Sequence, residues 1–452
     1  MNSELGEVRS TIGGMVWPGI PAGAGATLLA VLHQLDQTQW WDAADLAKRQ
    51  FLQLENGLLH TYENVPFHRD RLATAGYRPG CSVTQELFCA LPVMSRGDIH
   101  GHENALLSAR VPPGHGRITS GETSGSTGIP VRHFGTELTQ FFWSAFTLRD
   151  HIWRRRDLSG KLAAIRPRME DGEQAGWGPA TDIAFLSGPC VMMSIRRDHG
   201  VQLEWLARHR PAYLITQGDN LYALARLSLR NGTRLPGLRE ARSYGTTLRS
   251  DTRELAWKAW GVPVSDLYTA EEVGYIALQC PDHEHYHLQS ENLIVEILDA
   301  GGNACRPGEI GRVVLTTLHN FAMPLVRYEI GDYAEAGEPC TCGRGLPVIR
   351  RIMGRMRNVL TLPDGRQRWP SFPSEKWSHV APVRQLQLVQ KSRTAIELRV
   401  VPERELSGDE INRLVAALQD SLGHPFVMDV RQVPEIPRSA GYKFEDFISE
   451  IV

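Results

Sequence analysis

The sequence predicts an α/β fold: a large amino-terminal part with parallel β-structure and a β-rich portion, then a small α+β module at the carboxyl end. Three observations carry this. At 452 residues the chain exceeds what one hydrophobic core ordinarily organises. From about residue 160 to 335, short apolar stretches such as "KLAAI", "AYLIT" and "VSDLYT" alternate with helical ones such as "NLYALARLSLR" and "TRELAWKAW". That alternation suits strand–helix–strand units around a parallel sheet. Roughly the last 95 residues carry strand and helix periodicities of their own.

The elements follow in order. Residues 44–60 place Leu46, Phe51, Leu54, Leu58 and Leu59 at roughly helical spacing. Beyond the alternating region, "NLIVEIL" and "RVVLTTL" flank the turn "DAGGNACRPGEIG" and predict antiparallel strands. In the tail, "RQLQLVQ", "TAIELRVV" and "PFVMDVRQV" read as strands. Between the last two, "GDEINRLVAALQDSL" is a helix with Ile411, Leu414, Val415, Leu418 and Leu422 on one face. The Gly/Arg-rich stretch "RIMGRMRNV" reads as a hinge dividing residues 1–353 from 354–452.

Composition excludes several classes. The hydrophobic content of 42% and charged content of 22% are those of a soluble globular protein. A net charge of −2 with mixed signs argues against nucleic-acid and anionic-membrane partners, which need a concentrated basic face. No apolar run approaches the ~20 residues that span a bilayer. The start "MNSELGEVRSTIGG" lacks the basic-then-apolar order of a signal peptide. Seven cysteines, mostly scattered, fit a reducing compartment, so the expected location is cytoplasmic.

Residues 116–135, "GRITSGETSGSTGIPVRHFG", are crowded with glycine, serine and threonine. Backbone N–H groups in such a loop can converge on an anion, because only small residues let the backbone come that close. Hydroxyls at Thr123, Ser124, Ser126 and Thr127 add donors. The segment is neither a P-loop nor a dinucleotide fingerprint. A flexible linker shares the composition, so phosphate cradle and linker both stand at this point. A second constellation joins Cys280 in "CPDHEHYH" to Cys340 and Cys342 in "EPCTCGRGLP". Three thiols and one of His283, His285 or His287 complete the four ligands tetrahedral zinc prefers; buried free thiols are the alternative. The run "FFWSAF" (141–146) reads first as helix core and second as acyl pocket. "FLSGPCVMM" (185–193) is a candidate wall for a carboxylate pocket.

After the loop come, in order, "SYGTT", "DLYTAEEVG", "LVRYEIGD" and the terminal "IPRSAGYKFEDF". Over roughly residues 60–450 this set resembles the adenylate-forming superfamily, specifically phenylacetate–CoA ligase-like proteins. The resemblance implies ATP-dependent conversion of an aryl or arylacetyl acid to an acyl-adenylate, then transfer to coenzyme A. The enzyme class would be an AMP-forming acid–thiol ligase of the acyl-CoA synthetase type. Ser124, Gly125, Ser126, Thr127 and Gly128 would wrap the β- and γ-phosphates, with Thr127 also catalytic. Tyr244, Gly245 and Tyr268 would line the adenine site, and Glu272, a hard oxygen ligand, would hold Mg²⁺. Asp332 would accept hydrogen bonds from both ribose hydroxyls, with Arg327 bracing that region. Lys443, on a mobile small domain, would reach the forming acyl phosphate. The same resemblance implies a structural Zn²⁺ on Cys280, His287, Cys340 and Cys342.

Three positions depart from the family pattern: Ile129 replaces a common lysine, Glu271 a threonine, and Asn358 an acidic residue. The expected partners are a small carboxylic acid, ATP and coenzyme A, with an amine or a carrier-protein thiol as alternative acceptors. The resemblance leaves room for a homodimer, and for a non-catalytic, nucleotide-binding zinc protein of the same fold.

Overall fold

A sheet of twelve strands organises the large part of the chain in the computed structural model, which describes residues 6–123, 131–439 and 441–451. Five strands lie side by side and parallel: Cys190–Ser194, Leu162–Arg166, Tyr213–Gln217, Glu240–Tyr244 and Val264–Ala270. The next strand, Gly274–Gln279, turns back antiparallel. Tyr286–Leu288, Val348–Arg355, Tyr328–Ala336, Ile310–Thr317 and Leu293–Leu298 continue the antiparallel half. "NLIVEIL" and "RVVLTTL" are thus neighbours, Leu293 opposite Thr317.

Alternate residues of a strand point to opposite faces. On one face Leu162, Ala164, Tyr213, Ile215 and Leu267 pack against the helices Gly23–Thr38 and Glu137–Trp153, through Leu28, Leu32, Ala145 and Phe146. On the other face Ala163, Ile165, Val191, Leu214, Ala241 and Val264 meet Leu203, Leu206, Leu221, Leu224 and Ala256. These come from the helices His199–His209, Gly218–Asn231 and Thr252–Trp260. Covered on both sides, Leu162–Arg166 and Tyr213–Gln217 are near-continuous apolar runs, which is what made them legible, whereas Glu240–Tyr244, with Glu240, Arg242 and Ser243, was not.

The tail forms a four-stranded sheet with its own core. Val383–Gln390 and Ala395–Pro402 pair antiparallel, and the helix Gly408–Leu422 returns the chain to Val427–Gln432, parallel to the second. Ser407 and Glu410 close a capping box at the helix start, and Gly423 ends it at φ +56. Leu414, Leu418 and Leu422 are buried, with Ile411 and Val415 partly so. A further strand, Phe447–Ser449, joins the free edge of Val383–Gln390. Three residues are too few for a periodicity, so it escaped the sequence reading. The division drawn between 353 and 354 falls inside the strand Val348–Arg355. Among the described residues no helix is long and apolar enough to cross a membrane.

Candidate active site

A cavity of about 890 Å³ opens at the carboxyl ends of the parallel strands. Such sites suit ligands because the strand ends and following loops face outward there. Its lining comes from both the large sheet and the tail, including Tyr244, Tyr268, Glu272, Asp332, Arg355 and Lys443.

The turn from parallel to antiparallel sheet supplies the carboxylates. Ala270 pairs with Gly274, leaving a three-residue connection that holds Glu271 and Glu272. Gly274 sits at φ +84, a left-handed conformation that favours glycine. Glu271 is exposed, whereas Glu272 is buried with the Tyr328 hydroxyl 3.5 Å from Oε1. Beside it, the Tyr268 hydroxyl donates to Asp332 Oδ2 at 2.9 Å, and Arg355 Nε lies 3.3 Å from Oδ1. Burial, and then the Asp332 carboxylate, hold the Tyr268 phenol well above its ordinary range.

Lys443 reaches the same cavity from the tail. Its turn is tight: the Lys443 N–H donates to Ser439 Oγ at 3.1 Å, and Tyr442 takes φ +59. Burial lowers the lysine pKa; Arg355 lowers it further, while Asp332, Glu271 and Glu272 oppose. Docking contacts hold the segment in place. Gln217 Nε2 donates to the Gly441 carbonyl at 3.1 Å, and Asp219 accepts from the Phe444 N–H and from Arg438. Arg357 pairs with Glu445 at 2.6 Å, and Asn358 Nδ2 donates to the Phe447 carbonyl at 2.8 Å.

Tyr244, Gly245, Tyr268, Glu272, Asp332 and Lys443 therefore share one cavity. Arg327 lies outside its lining. Buried, at φ +49, it donates to the carbonyls of Cys89 and Leu91 at 2.5 and 2.6 Å and pairs with Glu296 at 2.9 Å. It ties the start of the Asp332 strand to residues 89–91 and to the strand Leu293–Leu298. Ser124, Gly125, Ser126, Thr127, Gly128 and Ile129 lie outside the described residues. Their flanks pair as a hairpin, Ile118–Glu122 with Arg132–Thr136. At its mouth Thr123 Oγ1 accepts from Arg96 Nη2 at 2.9 Å, and both residues line the cavity.

Two other expectations divide. In "FFWSAF", Phe146 is core, while Trp143 lines the cavity edge-on to Tyr275 at 5.1 Å. "FLSGPCVMM" is not a pocket wall: Phe185 and Cys190 are buried in the core, and Trp177–Thr181 line the cavity instead. Its apolar residues serve a strand covered on both faces. Arg355 and Asp219 were missed. Arg355 lies in the stretch read as a hinge, and nothing local marks Asp219, whose partners are more than two hundred residues away in sequence.

The thiols gather as their spacing suggested. Cys280, His285, His287 and Cys340 offer ligand atoms all within 4.8 Å of one another. Cys280 and Cys340 sulfurs are 3.9 Å apart, and Cys342 Sγ is 3.4 Å from His287 Nε2. Tetrahedral zinc with bonds of about 2.3 Å to sulfur and 2.0 Å to nitrogen puts its ligands at about these separations. His287 Nδ1 lies 3.3 Å from the Leu346 carbonyl, which leaves Nε2 free to bind metal. The donor types fit zinc, but the four-residue group holds His285 where the resemblance implied Cys342, which groups separately with Cys280 and Asp282.

No protein-family model matches the chain. It is 24% identical over 326 residues to phenylacetate–coenzyme A ligase of Thermus thermophilus, covering 68% of this chain and 70% of that protein. To phenylacetate–coenzyme A ligase of Pseudomonas putida it is 22% identical over 371 residues, covering 78% and 79%. A 2-hydroxyisobutyryl-CoA ligase in its postadenylation state superposes with a TM-score of 0.72 at 16% identity, over 92% of each chain. An anthranilate CoA ligase in complex with anthranoyl-AMP gives 0.54 at 17%, over 73% of this chain and 66% of that one. These likenesses show that the chain shares its fold with CoA ligases solved with acyl-AMP bound. In sequence it is similar to phenylacetate–coenzyme A ligases over two thirds or more of its length.

Proposed function

We propose that this protein uses ATP to activate a small aryl or arylacetyl acid as its acyl-adenylate and then passes the acyl group to coenzyme A. The observation that carries the reading is the meeting of Lys443, from the tail, with Asp332 and Glu272, from the sheet, in one cavity. A carboxylate oxygen of the acid attacks the α-phosphorus of ATP, and pyrophosphate leaves with the bond's electron pair. Negative charge grows on the transferring phosphoryl group, and the Lys443 ammonium stands where it offsets that charge. Asp332, held by Tyr268 and Arg355, keeps oxygen lone pairs for the ribose hydroxyls. In the second step the coenzyme A sulfur attacks the acyl carbon and AMP departs.

Glu272 suits Mg²⁺: among the described residues its buried carboxylate has only the long contact from Tyr328, so its oxygens remain available. That ion would neutralise phosphate charge. The loop of Ser124 to Gly128 belongs to the proposal as the cradle of the β- and γ-phosphates, with Tyr244 and Gly245 beside the adenine. Zn²⁺ on Cys280, His287, Cys340 and Cys342 would be structural, because a full set of protein ligands leaves no open position. We place the protein in the cytoplasm on its scattered cysteines.

Pyrophosphate release over a panel of carboxylic acids tests the first step. Coenzyme A, an amine and a phosphopantetheine carrier, each added to the competent acid, then test the acceptor. The reading expects release and a thioester with coenzyme A. No release with any acid would leave a nucleotide-binding protein, and an amide or carrier-bound product would replace the acceptor.

A further inference from the structure

Away from Asp332, the cavity runs between the helix Glu137–Trp153 and the face of the parallel sheet. Trp143, Trp177 and Tyr275 supply aromatic wall, and the sheet contributes Arg166, Ile215 and Arg242. The two arginines differ in how their charge is met. Arg242 Nη2 donates to Asp150 Oδ2 at 2.6 Å. Asp150 also takes Arg156 at 2.6 Å, and Arg156 binds Glu240 through two nitrogens at 2.7 and 2.8 Å. Two guanidinium groups and two carboxylates thus close a buried set without net charge.

Arg166 has no such counterpart. Among the described residues it forms no ion pair, while its Nε, like that of Arg242, is buried without a hydrogen-bond partner. The guanidinium lies over the Tyr244 ring, 5.4 Å from its centroid. A cation left in a partly closed, aromatic-walled cleft is costly unless something brought into the cleft supplies the opposite charge. A guanidinium fork matches a carboxylate through two parallel hydrogen bonds.

Position decides which carboxylate. Arg166 ends its strand, and Tyr213–Gln217 and Glu240–Tyr244 stand between that strand and Val264–Ala270, which carries Tyr268. The strands themselves are about 14 Å apart, and the Arg166 guanidinium spans part of that distance, reaching the Tyr244 ring on the strand next to Val264–Ala270. In the ligase reading, the carboxyl that attacks ATP belongs near Lys443 and Glu272, which line the same cavity. We propose that the acid carries a second oxygen anion at its distal end, held by Arg166. The substrate class is then a dicarboxylic aryl or arylacetyl acid rather than phenylacetate itself. This inference rests on the ligase reading above.

The full-length protein should be titrated calorimetrically with phenylacetate and with its 2-, 3- and 4-carboxy derivatives, and pyrophosphate release measured for each. At least one carboxy isomer should bind about tenfold or more tightly than phenylacetate, as a charge-assisted pair warrants. In Arg166→Met that ratio should collapse towards one, and Arg166→Lys should restore part of it. Thermal unfolding of both variants checks that the fold is intact. Three results would overturn the proposal: no isomer preferred by the wild type, a ratio that survives in Arg166→Met, or a KM for ATP that rises as much as that for the acid. An Arg166-dependent preference without pyrophosphate release would sink the ligase reading and leave this subsite standing. Release from plain acids with no preference would do the reverse.

Discussion

Asp219 holds the segment that carries Lys443: its Oδ2 accepts the Phe444 N–H at 3.1 Å and also pairs with Arg438. Asp219 lies in the first turn of the helix Gly218–Asn231, on the large sheet's side, while both partners belong to the tail. One nearly buried carboxylate therefore fastens both ends of the lysine turn to the cavity.

Asp219→Asn keeps the shape and removes the charge. A broken pair at this degree of burial costs a few kcal/mol, drawn from the docked arrangement of the tail. Adenylate formation should slow about tenfold or more, while transfer from chemically supplied acyl-adenylate to coenzyme A should change little. Rapid-quench measurement of the two half-reactions checks this; equal losses in both would show that Asp219 supports the fold at large.

Lys443→Ala should slow adenylate formation by about 10²–10³, the size expected for a charge lost from the site of developing negative charge. Supplied acyl-adenylate should still reach product. Asp332→Ala should act earlier, raising the dissociation constant of ATP, because it removes the proposed ribose acceptor and strands the Tyr268 hydroxyl and Arg355. If Lys443→Ala forms adenylate at the wild-type rate, the terminal motif is a surface turn.

The pH profile follows from the lysine's surroundings. Burial and Arg355 lower the Lys443 pKa in the free protein, so its proton leaves at lower pH than from a free lysine, about 10.4. The ammonium is the working form. The alkaline fall in kcat/KM for ATP, which reports the free protein, should therefore begin below that value. Lys443→Arg should remove this limb even if its rate is low, and a limb that persists there belongs to another group.

Purified protein should hold about one zinc per chain. Cys340→Ser and His287→Ala should lose the metal and unfold at lower temperature, since zinc binding is partly folding energy. His285→Ala should keep it, because the Leu346 carbonyl orients His287 rather than His285. Metal-free wild type with reactive Cys280, Cys340 and Cys342 would remove the site.

Three of the parallel strands, the antiparallel pair and the tail helix were legible because each buries an apolar pattern within a few residues of itself. Tyr244, Tyr268, Glu272, Asp332 and Lys443 could be picked out because they stand in ordered short motifs. "FLSGPCVMM" misled because an apolar run looks alike whether it lines a pocket or a covered strand. Arg327, expected to brace the Asp332 region, is tied to Cys89, Leu91 and Glu296, partners far from it in the chain that no local pattern marks.

What the sequence by itself determined is the set of elements and the chemical inventory: residue types, their order, and local periods that need no distant partner. Only the tertiary structure decided which of those groups share a space. It set Lys443 beside Asp332, across the junction of two cores, and Asp219 beneath the lysine turn. It also left Arg166 unmatched while Arg242, on the same sheet face, found Asp150. Such pairings join residues far apart in the chain. Their energies come from burial and charge in a geometry that exists only after the sheet and the tail have closed on one another.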